Sequence, residues 1–267
     1  MELPRTAAIA TNLRILDSVG STNDELVAAA PGLPDLSVVV TDNQTKGRGR
    51  LGREWVAPAG SAVAVSVLVR PRLPAGEPLG LEHYGWLPLI AGLAMTRAVA
   101  SLVPNGDERV RLKWPNDVQV DGLKVCGILA ELLPTADGVV IGAGVNLGMT
   151  AEQLPVETAT SLALCGVTRT GDALADATVA AYLADLTALV HDFVSLGADP
   201  DGSGIHALLN EACSTIGSEV RVQLPGAGDL RGTATGVDRS GRLVVRRTAD
   251  GRSQAVAAGD VTHVRYE

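Results

Sequence analysis

Residues 110–133 read VRLKWPNDVQVDGLKVCGILAELL. Apolar and polar residues alternate from Val110 to Lys113, the Pro-Asn-Asp sequence breaks the run, and alternation resumes at Val118. Asp121-Gly122 is a strong short-range hairpin signal, because a two-residue turn of this kind needs positive φ at both central positions. The stretch is therefore expected to form a strand, a turn, and a tight hairpin into a further strand. A chain organised round a sheet follows from it.

The segments on either side extend the pattern. NLRILDSVGSTNDELVAAAP (12–31) reads as a short strand, a turn and a helix, with Ser21 or Thr22 as N-cap and Asp24 and Glu25 favoured by the helix dipole. LSVVVTDNQ (36–44) is a buried strand. SAVAVSVLVRP (61–71) alternates as another strand. LPLIAGLAMTRAVASLV (87–103) is a helix with an apolar stripe, GVVIGAGVNLG (138–148) a strand ending in glycines, and residues 172–197 the longest helix candidate. After about residue 213 the texture changes. SEVRVQLP, LRGTATGVD, GRLVVRRTA, RSQAVAAGD and VTHVRY are short runs between Gly, Asp and Ser turns, which suggests a small antiparallel barrel. Residues 1–212 are thus expected to form a domain mixing sheet and helices, and 213–267 a β satellite. The loop at 197–204 is a lesser boundary.

The chain has 267 residues, 46% of them apolar, enough for one large core or a core plus a satellite. We see no run of about 18 or more apolar residues and no signal-peptide pattern in MELPRTAAIATNLRILDS, so no membrane association and a cytoplasmic location are expected. Cys126, Cys165 and Cys213 form no C-x-x-C pair, which argues against a disulfide framework or a zinc site. His83, His191, His206 and His263 are isolated. The 22 Lys plus Arg residues include three lysines, Lys46, Lys113 and Lys124, and all three fall in the densest motif regions. A compact ammonium suits a point anion where a planar guanidinium fits differently.

TDNQTKGRGRLGREW (41–55) gathers Lys46, Arg48, Arg50 and Arg53 among three glycines in a chain of net charge −8. Three readings compete: an Arg-Gly nucleic-acid segment, a merely solvated loop, and a phosphate-binding loop that closes over its ligand. The third fits best, since the cluster is short and lies between two strands. Glycines let backbone N–H groups approach anions and allow hinging, and arginines offer forked donors. Mutual repulsion should leave the loop mobile until an anion orders it. No Walker A sequence occurs, and Gly142, Gly144 and Gly148 lack dinucleotide-fingerprint spacing.

Taken together, GSTN (20–23), QTKGRGRLGREW (44–55), KWPNDVQVDGLKVCGILAE (113–131) and IGAGVNLG (141–148) resemble the signatures of biotin–protein ligases, also called biotin–[acetyl-CoA-carboxylase] ligases. The resemblance covers residues 20–148, and a small C-terminal β domain also belongs to that family's layout. It implies an α+β fold: a mixed β-sheet with flanking helices plus a small SH3-like β-barrel. It implies that biotin and ATP, with Mg2+, give biotinyl-5′-adenylate and pyrophosphate. The biotinyl group then passes to a lysine of biotin carboxyl carrier domains, the partners expected here, found in acyl-CoA and pyruvate carboxylases. About twenty residues precede Ser21, too few for the DNA-binding unit of the longer members, so no DNA partner is expected.

Residue roles follow from the same resemblance. Lys124 matches the lysine that contacts the biotin carboxylate and the activated phosphate. Arg48 and Arg50, with Gly47 and Gly49, match loop positions covering biotin and the adenylate, and Arg53 addresses the pyrophosphate side. Lys113 meets phosphate. Asp117 either helps to place magnesium or orients the incoming amine, and Asn116 shapes the turn. Ser21, Thr22, Asn23 and Gln44 surround the ureido ring, and the backbone of Gly127 and Leu129 lines the biotin channel. Trp55 packs over adenine, with a core role as the alternative, and Asn146 hydrogen-bonds the base. Leu51 fills a variable position. Metal ligands and the acceptor of the attacking lysine's proton stay open. A lipoate–protein ligase is the nearest rival, and a nucleic-acid-binding regulator is the rival from another class.

Overall fold

The computed structural model describes residues 1–224, 228–257 and 260–263. In chain order the elements are α1 (Pro4–Ala7), β1 (Asn12–Ile15), α2 (Thr22–Ala29), β2 (Ser37–Thr41), β3 (Gly47–Arg48), β4 (Glu54–Trp55), β5 (Ala62–Val69), α3 (Leu87–Ala100) and α4 (Gly106–Arg109). There follow β6 (Val110–Lys113), β7 (Asp117–Val120), β8 (Leu123–Leu132), β9 (Val139–Asn146), α5 (Gly171–Ser195), α6 (Ile205–Ala212), β10 (Glu219–Leu224), β11 (Gly228–Val237), β12 (Leu243–Arg247), β13 (Ser253–Val256) and β14 (Asp260–His263).

Seven strands form a mixed sheet in the order β1-β2-β5-β9-β8-β7-β6, in which β1 runs parallel to β2 and every other pair is antiparallel. The hairpin expected at Asp121-Gly122 forms between β7 and β8, with φ of 51° and 82° at those two residues. The sheet carries helices on both faces. Val38, Val40, Val63, Val65 and Val67 point into the main core with α3 and α5. Val39, Leu68 and Val140 point the other way, onto Leu26 and Ala30 of α2 and the turn after it. Double coverage explains a departure from the expected alternation: every residue of β5 is buried, so burial there does not alternate.

Helix α5 is long and apolar enough, by length and composition, to cross a membrane, with a mean hydropathy of 1.5 over its most apolar window. Much of that window, 61%, is buried, and α5 packs against α3, as a core helix does. Helix α6, which sequence reading left inside a connection, begins at a left-handed Gly204.

The C-terminal strands form an antiparallel sheet in the order β13-β12-β11-β10-β14 around Val220, Val222, Leu230, Leu243 and Val245. Pro225, residues 258–259 and residues 264–266, the ends of three expected strands, lie outside the described residues. This sheet is tied to the larger one by tryptophans. Trp86 Nε1 donates to Arg239 O at 2.8 Å, and Trp114 Nε1 donates to Gly241 O at 3.3 Å. The Trp114 backbone N–H donates to Thr215 Oγ1 at 3.0 Å.

Candidate active site

Cross-strand partners share one face of a sheet. On the α2 face the register places Ala64, Gly144, Gly127, Asp117 and Lys113 in one row across β5, β9, β8, β7 and β6. The neighbouring row holds Ser66, Gly142 and Leu129. Side chains are missing where the rows cross β9. A Cβ on Gly144 would lie 2.7 Å from the Trp55 ring, and one on Gly142 would lie 2.3 Å from Asn23 Oδ1. Bare backbone thus lets Trp55 and Asn23 lie against the sheet. The result is a cavity of about 640 Å³ on this face.

A β-bulge aims the central lysine. Strand β8 pairs Cys126 with Val118 but Lys124 with Gln119, so Val125 is an extra residue without an opposite number. Strict alternation would turn Lys124 away from Gly127 and the cavity. The bulge restores it to that side, a common use of such irregularities. The other edge of Lys124 is fixed by residues 158–160: Lys124 N–H donates to Thr158 O and Thr160 N–H donates to Lys124 O, each at 2.8 Å. Lys124 Nζ stands 2.7 Å from Asp117 Oδ1, in an ion pair that lacks the direction of a hydrogen bond.

Asp117 is surrounded by positive groups. Lys113, Arg50 and Lys124 all feel its charge, and Arg53 stands close to both Lys113 and Arg50. Burial pushes the Lys113 ammonium below the ordinary lysine range. Lys124 and Arg53 push the same way, and Asp117 opposes them. Burial likewise lowers Arg50, partly offset by Asp117. Desolvated cations outnumbering the one carboxylate among them give this end of the cavity a positive character suited to an anion. Arg50 Nη1 donates to Asn116 Oδ1 at 2.9 Å, and Asn116 Nδ2 donates to Ile128 O at 3.0 Å, so Asn116 carries a loop contact as well as shaping the turn.

The opposite end of the cavity is polar and buried. Ser21 caps α2, its Oγ accepting from Asp24 N–H at 3.3 Å. Gln44 Oε1 accepts from the Thr22 backbone at 2.8 Å and from Thr22 Oγ1 at 3.1 Å. The buried Ser66 hydroxyl donates to Asn23 Oδ1 at 2.6 Å and lies 2.8 Å from Thr22 Oγ1. Asn23 Nδ2 donates to Glu131 Oε1 at 2.6 Å and to Leu129 O at 3.2 Å. Asn23 is therefore held by protein groups at both ends of its amide. Asn146 is buried, with Nδ2 donating to Thr160 O at 2.9 Å.

The basic loop differs from expectation in a definite way. It forms a small hairpin, β3 with β4, pairing Gly47 with Trp55 and Arg48 with Glu54. One of its cations has partners remote in sequence, since Arg48 meets both Asp24 and Glu131, while Arg53 still acts on Arg50 as a like charge. One of its glycines, Gly47, has a further purpose. A Cβ on Gly47 would lie 2.3 Å from Trp55 O and 2.6 Å from Gln44 Nε2, so close packing demands glycine there. Gly49 N–H donates to Arg53 O at 2.6 Å across the loop.

Of the residues singled out from sequence, Ser21, Thr22, Asn23, Gln44, Arg48, Gly49, Arg50, Arg53, Trp55, Lys113, Asp117, Lys124, Gly127, Leu129 and Asn146 line the cavity. Gly47 packs beneath Trp55, and Lys46 lies outside the wall, its backbone N–H donating to Gly20 O. Sequence reading missed Ser66, Glu131 and the 158–160 segment. No motif marks Ser66 or residues 158–160, though a polar Ser66 inside an apolar run was a usable sign; Glu131 closes the 113–131 motif but was given no role. Among the described residues no group of three or more His, Cys, Asp and Glu could hold a metal ion. The three cysteines are free and buried.

Comparison with known proteins bears on this site. Residues 16–146 match the model of the biotin/lipoate A/B protein ligase family, and residues 215–264 match the biotin protein ligase C-terminal domain. The chain is similar to the biotin–[acetyl-CoA-carboxylase] ligase of Mycobacterium tuberculosis, 37% identical over 95% of this chain and 89% of that protein. It is similar to the ligase of the same name from Paracoccus denitrificans, 32% identical over 92% and 98%. Among solved structures it resembles the biotin protein ligase from Aquifex aeolicus in complex with biotin and ATP. The TM-score is 0.72 at 27% identity, covering 94% of this chain and 98% of that one.

Proposed function

The chain belongs to the biotin/lipoate A/B protein ligase family and is an ATP-dependent biotin ligase, and from that premise we propose how its cavity carries out the reaction. The biotin carboxylate attacks the α-phosphorus of ATP. An O–P bond forms, the bond to the β-phosphate breaks, and pyrophosphate leaves. The amine of a carrier-domain lysine then attacks the acyl carbon of biotinyl-5′-adenylate. A C–N bond forms, the C–O bond breaks, AMP departs, and the amine gives up a proton.

The difficulty is electrostatic, because an anionic carboxylate must approach a polyanion. Two like charges about 4 Å apart repel by roughly 4 kcal/mol at an effective dielectric near 20. We assign Lys124 to bridge carboxylate and α-phosphate, with Lys113, Arg50 and Arg53 on the phosphate side. Ser21, Thr22 and Gln44 meet the ureido ring, with Asn23 fixing the floor beside them and the β8 backbone at Gly127 and Leu129 lining the channel. Trp55 and Asn146 receive adenine. Gly47, Arg48 and Gly49 close the loop over the vitamin, excluding the water that would hydrolyse the intermediate. Asp117 holds Lys124 by the ion pair and orients the amine. Among the described residues no group of three or more His, Cys, Asp and Glu could hold a metal ion by itself, so Mg2+ would be carried mainly by the phosphates of ATP, and no step is assigned to it.

One observation carries this reading. A bulge-aimed ammonium stands 2.7 Å from a carboxylate, between a buried polar floor and a cluster of desolvated cations. The carrier is a biotin carboxyl carrier domain of an acyl-CoA or pyruvate carboxylase; the net charge of −8 disfavours DNA as partner. The cytoplasm, with ATP and a reducing poise, suits three free cysteines. We also propose two domains, 1–212 and 213–267, a division supported by the end of α6 at Ala212 and the start of β10 at Glu219. Incubation with ATP, biotin and a carrier domain, followed by intact mass measurement, tests the function. The carrier should gain one biotinyl group, and lipoate should not replace biotin. An unmodified carrier contradicts the reading.

A further inference from the structure

The loop over the cavity is fastened at two points of different chemistry. Arg50 reaches the turn between β6 and β7, where Asn116 accepts from it. Arg48 turns the other way. Its Nη2 contacts Asp24 Oδ1 in the first turn of α2, and stands 3.0 and 3.1 Å from the two carboxylate oxygens of Glu131 near the end of β8. Residues 24, 48 and 131 thus join helix, loop and central sheet in one ion cluster. Neither Asp24 nor Glu131 lines the cavity, and a carboxylate is the wrong group to hold an anionic ligand. Their common partner is the loop.

We infer that Asp24 and Glu131 are positioning residues: through Arg48 they latch the 47–55 hairpin shut, and so set how long the activated intermediate is retained. The latch stands on the ion cluster; its effect on an acyl-adenylate rests on the function proposed above. Both carboxylates are supplied by rigid elements, α2 and β8, so the loop alone moves when the latch opens. The side chain of Asp24 is 62% exposed, that of Arg48 43% and that of Glu131 29%, so each pair is individually weak and sensitive to salt. A latch of this strength opens readily, as a loop that must admit substrate and carrier requires. Glu131 has a second duty, since it also accepts from Asn23 at 2.6 Å. Among the described residues Asp24 makes no other side-chain hydrogen bond or ion pair, so Asp24→Asn is the cleaner probe.

Limited trypsin digestion of the full chain reads the latch directly, because cleavage after Arg48, Arg50 or Arg53 needs an open loop. Asp24→Asn and Glu131→Gln should each raise the rate of loop cleavage about 3-fold, and the double variant about 10-fold. Salt near 0.5 M should speed cleavage of the unmodified protein and leave the double variant almost unchanged, roughly as screening of exposed pairs dictates. Asp24→Glu should restore the slow rate. In the second arm, adenylate escaping without carrier is trapped with hydroxylamine. Escape should rise in the same order, while pyrophosphate exchange by Asp24→Asn at saturating biotin stays within about 2-fold, as expected for a weak exposed pair. Equal cleavage of all variants at both salt concentrations overturns the latch. Faster cleavage without faster escape overturns its role in retention. If the unmodified protein forms no adenylate, the biotin reading fails, and the cleavage rates still decide the latch.

Discussion

In the reaction proposed above, two anions converge on the single ammonium of Lys124. Its removal leaves the carboxylate and the α-phosphate facing each other with their repulsion uncompensated. Lys124→Ala should lower adenylate formation by about 10²-fold or more, the range seen when one preorganised electrostatic donor is lost. Pyrophosphate release measured with a coupled assay checks this, and circular dichroism should show the fold intact. Lys113 gives a pH prediction. Burial holds its ammonium below the ordinary value of 10.5, so the free protein loses that proton at lower pH than an exposed lysine does. Phosphate favours the charged form. Nucleotide binding therefore draws a proton back, and affinity should fall as pH rises past the lowered pKa, before 10.5 is reached. Titration calorimetry across alkaline pH should show this decline and a flatter profile for Lys113→Arg. At this scale much was legible in the sequence. Lys113, Asp117, Lys124 and the loop arginines announce themselves because their motifs are compact. Ser66 and Glu131 do not, because only sheet register and helix docking bring them to Asn23 and Arg48.

Strand register converts the one-dimensional motifs into a site. Gly127, Gly144 and Ala64 are small on one row, and the neighbouring row is emptied at Gly142. The period-two glycines of β9 were visible in sequence, where spacing excluded a dinucleotide fingerprint but did not reveal what the bare face would receive. Gly144→Ala should push Trp55 off the sheet, since its Cβ would lie 2.7 Å from the ring. The expected cost is about 1–3 kcal/mol for such overpacking, read as a lower thermal midpoint. ATP affinity should fall more than biotin affinity if Trp55 receives adenine. The strands other than β3 and β4, with α2, α3 and α5 and the Asp121-Gly122 turn, were readable because periodicity, caps and turn chemistry agree there. The bulge at Val125 was not, because residues 125–130 read as an unbroken apolar run that shows no break in alternation. Helix α6 was hidden by the glycines and the one proline, Pro200, just before it.

Over the whole molecule, the small β-sheet is joined to the catalytic sheet close to the site. Trp114 lies within the KWPND sequence and binds Thr215 and Gly241, while Trp86 binds Arg239. Trp86→Phe keeps the ring in the core and removes one N–H donor. A loss of about 1 kcal/mol is expected for the lost hydrogen bond to the Arg239 carbonyl, which is part-buried, and for a chain of this size that lowers the thermal midpoint by roughly 2–4 °C. Val261 of β14 reaches the cavity wall, so the C-terminal domain contributes to the site's boundary. The two-domain texture was plain from strand spacing, whereas its docking through tryptophan was not, since nothing local in a sequence reports which carbonyl an indole will find. The account as a whole depends on cations that neutralise two mutually repelling anions so that they can be joined. Exchange of labelled pyrophosphate into ATP tests that most directly. Label should enter ATP when biotin is present and stay out when biotin is withheld; exchange that ignores biotin, or none under either condition, would contradict it.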